Sequence, residues 1–124
     1  LGEEPLPVVE VIAQREFYDY EAKYGNAGTR YEVPAKLSAA QAEKVTQESV
    51  KAYRAMGCRM MSRVDGILAP DDTPYVREVN TIPGLTSKSL LPKAALAAGV
   101  DFPALCVRIL TMALAERKVV QTRG

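Results

Sequence analysis

Two carboxylates, a side-chain amide and a guanidinium stand at spacings that can bring them together. Arg63 and Asp65 are separated by one residue, as are Glu78 and Asn80, and alternate residues of an extended chain share a face. Between them lies Pro70-Asp71-Asp72-Thr73-Pro74, a run of turn-forming residues. The segments 59–69 and 75–80 therefore read as the arms of a hairpin, with Val76 on the face of Glu78 and Asn80. If those faces coincide, the four polar groups converge. Hard oxygen donors without histidine or cysteine suit Mg²⁺, which takes few protein ligands and completes its shell with water and phosphate. A neighbouring arginine suits a phosphate or a developing oxyanion. On a solvated sheet face the same residues would form only cross-strand ion pairs, each of small worth. Downstream, Pro83-Gly84 allows close backbone approach, and Ser87 and Ser89 put hydroxyls where the free amides of a helix start can meet an anion. The plainer alternative is a loop with a Ser-capped helix.

Composition narrows the chemistry. The chain has 124 residues, 48% of them apolar and 25% charged, with 16 basic and 15 acidic side chains and no histidine. Ser-His-Asp and Cys-His catalysis and His-ligated zinc are thereby excluded. A net charge of +1 provides no overall field for nucleic acid or an anionic membrane. No stretch approaches the ~18 apolar residues of a membrane span, and the first residues carry no signal-peptide pattern. Cys58 and Cys106 fit no metal spacing and read as buried reduced thiols of a cytoplasmic protein. The length suits one domain with a real core, although a chain opening on Leu1 rather than Met can have been cut from something larger.

The elements that must position these groups are α+β in character. Residues 6–13 read as a β-branched strand with Pro7 at an edge or a strand start. Residues 15–30 mix aromatics, charges and turn residues and read as a long ordered loop. Ser38 and Gln41 form a capping-box pattern. Ala42, Val45, Ser49, Tyr53 and Met56 then mark one face of a helix that stops at Gly57. After the hairpin and the loop 81–87 comes a helix with Pro92 near its first turn and Gly99 at its end. A last helix opens at Pro103, with Leu105, Ile109 and Met112 as its apolar stripe. The expectation is an antiparallel sheet with packed helices.

These residues resemble a known family. Arg63-Val64-Asp65, then Glu78-Val79-Asn80-Thr81-Ile82-Pro83-Gly84-Leu85-Thr86 and Ser89-Leu90, are similar to the C-terminal signature of D-alanine–D-alanine ligases. Phe17-Tyr18-Asp19-Tyr20-Glu21-Ala22-Lys23-Tyr24 matches that family's ω-loop motif, and Phe102-Pro103-Ala104-Leu105 with Val107-Arg108-Ile109-Leu110 matches its closing helix. The likeness covers about residues 1–115. It implies the C-terminal half of an ATP-grasp fold, with residues 1–124 as the C-terminal domain, an ω-type loop at about 15–30, and the N-terminal and central ligase domains outside this chain. It further implies that Asp65, Glu78 and Asn80 ligate two Mg²⁺ (or Mn²⁺) ions bridging the ATP phosphates. Arg63 would stabilise the transferred phosphoryl group, with the Gly84 amide completing an oxyanion hole. Ser89 and the Leu90 amide would hold the carboxylate of the second D-alanine. Lys23 would reach the phosphates and Tyr24 would latch the loop.

The implied reaction is phosphorylation of one D-alanine to an acyl phosphate and its capture by the amine of a second, for peptidoglycan precursor synthesis. Phosphoryl transfer rests on positioning and charge neutralisation, so metal, arginine and lysine suffice without histidine. An acyl phosphate must be kept from water, which gives an aromatic loop reason to close. The expected partners are ATP, D-alanine and the remaining ligase domains. Nucleic acid and membrane are not expected, and the oligomeric state stays open, a homodimer included. Gly66, Arg77 and Met60-Met61-Ser62 depart from the family pattern, with Gly66 expected to weaken its strand. Two alternatives stand beside this reading: a non-catalytic or degenerate ATP-grasp fragment, and a relative that joins D-alanine to D-serine or D-lactate.

Overall fold

The computed structural model describes residues 1–12 and 29–123. Lys23, Tyr24 and nearly all of the loop expected at 15–30 lie outside the described residues. Strand β1 (Glu10–Ile12) pairs antiparallel with β2 (Arg30–Glu32), with Val11 opposite Tyr31. The expected strand at 6–13 is thus shorter. Pro5 and Pro7 supply no N–H to a ladder, and among the described residues this segment is tied by a bond from the Ala35 N–H to the Val8 carbonyl, 2.8 Å.

Helix α1 (Ala39–Ala55) begins where the capping box places it. The Ser38 hydroxyl accepts from the Gln41 N–H at 3.1 Å and the Gln41 side chain accepts from the Ser38 N–H at 3.0 Å, so two orphan donors are satisfied reciprocally. Tyr53 is the buried residue of its inner face, and Ala42, Val45 and Ser49 are half-buried. Met56, expected on that face, is instead 65% exposed. It is the C-cap residue, and Gly57 turns the chain away at φ +65°, as a left-handed C′ glycine does.

The hairpin follows as β3 (Arg63–Leu68) and β4 (Pro74–Asn80), paired antiparallel. Among the described residues the strands form two separate two-stranded ribbons rather than one sheet. At the hairpin tip the Asp72 N–H bonds the Ala69 carbonyl at 2.9 Å, closing a turn with Pro70 at its second position, where its fixed φ fits. Asp72 takes φ +64°, and its carboxylate accepts from the Gln41 side chain at 2.7 Å. One glutamine therefore both caps α1 and ties down the hairpin tip.

Helices α2 (Leu90–Ala97) and α3 (Phe102–Arg123) meet at a bend of 104° around Gly99, φ +84°. Leu91, Ala95, Val100 and Leu105 form the core cluster there, with Leu6, Met61 and Ile109 packed against it. No single described helix is long and apolar enough to cross a membrane. Cys58 is half-buried and Cys106 exposed, both as free thiols, which corrects the expectation that both are buried. Cys106 follows Leu105 on α3, one helical step away from the face that enters the core.

The tip also predicts a pH effect. Asp71 accepts a bond from the Thr73 N–H at 3.1 Å, and this bond holds its carboxyl below the usual range, helped by the Thr73 side chain. A lowered folded-state value stabilises the fold above about pH 4, and the contribution fades as pH falls through the folded value. The Tm difference between wild type and Asp71→Ala is therefore expected to be full at pH 6 and to shrink on acidification toward pH 2. A difference independent of pH would contradict this.

Candidate functional site

The register of the hairpin decides which side chains meet. Arg63 lies opposite Asn80 and Asp65 opposite Glu78, so all four occupy one face, as their spacing predicts. The Arg63 guanidinium donates to both Asp65 oxygens, at 2.8 and 2.9 Å, with 19% and 29% of these side chains exposed. A fork of this kind fixes both groups in one plane. Asn80 ends the strand, and its Oδ1 accepts from the Ile82 N–H at 3.0 Å, turning the chain into the loop.

A bulge interrupts the ladder beside these residues. The register shifts between Asp65 and Gly66, so that Gly66 faces Val76 and Arg77 is the extra residue of β4. Val76 accordingly joins the face of Val64 and Val79 rather than that of Glu78 and Asn80, which corrects the simple alternation. Bulges re-aim side chains locally, and this one lies against the Asp65–Glu78 pair.

The loop after β4 brings a second group of predicted residues together. A Cβ added at Gly84 would lie 2.8 Å from the Ser89 Oγ, so only glycine lets the two approach as they do. Ser89 is the N-cap of α2, yet its hydroxyl makes no capping bond. It turns back to accept from the Thr86 N–H at 3.0 Å and lies 2.8 Å from the Thr86 hydroxyl. Leu90 is the first helical residue, where an amide has no intrahelical acceptor. Thr86, which in the sequence stands out only as part of the Pro-Gly-Leu-Thr run, thus joins this group. The signal lay in the spacing of Thr86 and Ser89, an i, i+3 pair of hydroxyls flanking a helix start.

A cleft of about 870 Å³ runs between the N-terminal segment, α1 and the hairpin. Its walls include Leu6, Val8, Tyr53 and Leu91, and Arg63, Asp65 and Glu78 also line it, while Asn80, Gly84 and Ser89 do not. Among the described residues no group of three or more His, Cys, Asp or Glu side chains is placed to hold a metal on its own.

The chain is similar in structure to the D-alanine–D-alanine ligase of Bacillus anthracis, with a TM-score of 0.80 and 41% identity over 94% of this chain and 38% of that one. It is also similar to a D-Ala:D-Ser ligase of Enterococcus faecalis, with a TM-score of 0.75 and 30% identity over 90% of this chain and 34% of the other. The fold is the α+β C-terminal part of an ATP-grasp enzyme. The sequence profile described as D-ala D-ala ligase C-terminus matches residues 2–111, and the chain belongs to that family. A D-alanine–D-alanine ligase of Anaeromyxobacter is 49% identical over 85% of the chain, and one of Synechococcus is 44% identical over 99%. The chain spans 34% and 38% of the length of these two relatives.

Proposed function

We propose that this chain is the phosphate-handling and second-substrate portion of an ATP-dependent ligase that makes D-alanyl-D-alanine for peptidoglycan precursors. The observation that carries the reading is the register Arg63–Asn80 and Asp65–Glu78 in a chain of this family. The donor set fits Mg²⁺. Asp65 spends one lone pair of each oxygen on Arg63 and keeps the others, since an ionised carboxylate offers about four acceptor sites. Asn80 Oδ1 likewise keeps one lone pair beyond its bond to Ile82. Asp65, Glu78 and Asn80 would hold the two ions, Mg²⁺ or Mn²⁺, whose part is to neutralise ATP phosphate charge.

In this reading Arg63, already oriented by Asp65, presents its guanidinium to the transferred phosphoryl group and then to the tetrahedral oxyanion, together with the Gly84 amide. Ser89 and the Leu90 amide receive the carboxylate of the second D-alanine, so its amine can attack the acyl phosphate. Lys23 reaches the phosphates and Tyr24 holds the loop closed against water. The rest of the ligase supplies the first D-alanine pocket and the other side of the nucleotide site. It would also cover Ile67, Tyr75, Val76 and Ile82, which stand 40 to 82% exposed on the hairpin and its loop. The proposed site of action is the cytoplasm, where ATP is abundant.

The intact ligase, offered D-alanine, D-serine and D-lactate together with ATP, is expected to yield mainly D-alanyl-D-alanine. Predominance of D-alanyl-D-serine would favour the second reading, which the likeness to the Enterococcus faecalis enzyme keeps in view. The 124-residue chain alone is expected to release no phosphate in response to D-alanine, because the first-substrate pocket lies elsewhere. D-Alanine-dependent phosphate release by the isolated chain would contradict that division of labour.

A further inference from the structure

We infer that Thr86 is a positioning residue that sets the Ser89 hydroxyl as the donor toward the second substrate's carboxylate; this rests on the assignment of Ser89 proposed above. A serine hydroxyl has one proton and two lone pairs. One lone pair of Ser89 is taken by the Thr86 N–H at 3.0 Å. The Thr86 hydroxyl lies 2.8 Å away and either oxygen of that pair can donate. With Thr86 donating, both lone pairs of Ser89 are filled, and its O–H is the single group left to offer. A carboxylate accepts and never donates, so its arrival selects this arrangement. A hydroxyl free to rotate would spend part of its time with lone pairs facing the anion. With Thr86 donating, that alternative is closed once the anion is bound, and Gly84, where a Cβ would stand 2.8 Å from the same oxygen, leaves room for the approach. The Thr86 hydroxyl therefore acts through Ser89 without touching the substrate.

The test is steady-state kinetics of the intact ligase, resolving the KM for the second D-alanine from those for the first D-alanine and ATP. Thr86→Val keeps the shape and the backbone donor but removes the hydroxyl. It is expected to raise the second-site KM about tenfold, the worth of one charge-assisted hydrogen bond, with kcat and the other KM values within about twofold. Thr86→Ser should restore wild-type behaviour. Because Thr86 acts through Ser89, the double variant Thr86→Val/Ser89→Ala should be no worse than Ser89→Ala alone. A wild-type second-site KM in Thr86→Val, with Ser89→Ala impaired, would overturn the inference and leave the role of Ser89 standing. Additive losses in the double variant, or equal losses in kcat and every KM, would also overturn it. A wild-type KM in Ser89→Ala would remove the underlying assignment itself.

Discussion

Glu78→Gln in the intact ligase is expected to lower kcat by at least about a hundredfold while leaving the fold unchanged. The magnitude follows from the role proposed. Removing one oriented group that stabilises transition-state charge costs about 10²–10³ in turnover, and glutamine keeps the size of the side chain while giving up the anionic oxygens that Mg²⁺ prefers. The fold should tolerate the change because Glu78 is exposed and holds its place by backbone pairing with Asp65 across the ladder. The measurement is kcat as a function of Mg²⁺ concentration, with circular dichroism and Tm as controls. Partial recovery at high Mg²⁺ would accompany the loss if Glu78 is a ligand. Turnover equal to wild type at low Mg²⁺ would remove Glu78 from the metal set. Glu78→Ala should be no more active than Glu78→Gln, since both lose the charge.

How much of this was readable beforehand depends on the range of the interactions involved. The α1 capping box was legible because Ser38 and Gln41 satisfy each other within one turn. The hairpin was legible because alternation and a proline-rich tip are local signals. The convergence of Arg63, Asp65, Glu78 and Asn80 followed from that pairing. The short β1 was less legible, since β-branched residues signal strand tendency but not how many will find a partner. The second role of Gln41, donating to Asp72 across the fold, could not be read from a cap pattern. Met56 and Cys106 were placed by periodicity and local apolarity, and the structure exposes both. Nor does composition announce a bulge. The slip at Asp65 and Gly66 depends on how close two backbones come, and this reversed the face of Val76. The same holds for Ser89: a serine before a helix reads as a cap, whereas its hydroxyl is engaged by Thr86.

Gly66 carries the second large effect. A glycine inside a strand reads as a weakness, yet here a Cβ would lie 2.6 Å from the Tyr75 carbonyl oxygen and 3.3 Å from its carbonyl carbon. Those are backbone atoms of the paired strand and cannot swing aside as a side-chain tip can. Any side chain at this position must push β4 away from β3 where the bulge begins. Gly66→Ala is expected to destabilise the fold by about 2 kcal/mol or more, a fall in Tm of roughly 6 °C or more for a domain of this size. The displacement falls next to Asp65, so the Asp65–Glu78 pairing should loosen as well. Amide exchange in β3 and β4 should accelerate more than in α2 and α3, whose core around Leu105 lies elsewhere. In the intact ligase the same change should weaken the dependence of kcat on Mg²⁺ even below the melting range. A Gly66→Ala protein with unchanged Tm and unchanged exchange in the hairpin would mean that the strands have room to part. The tight backbone approach at the bulge would then not be what sets the spacing of the two carboxylates.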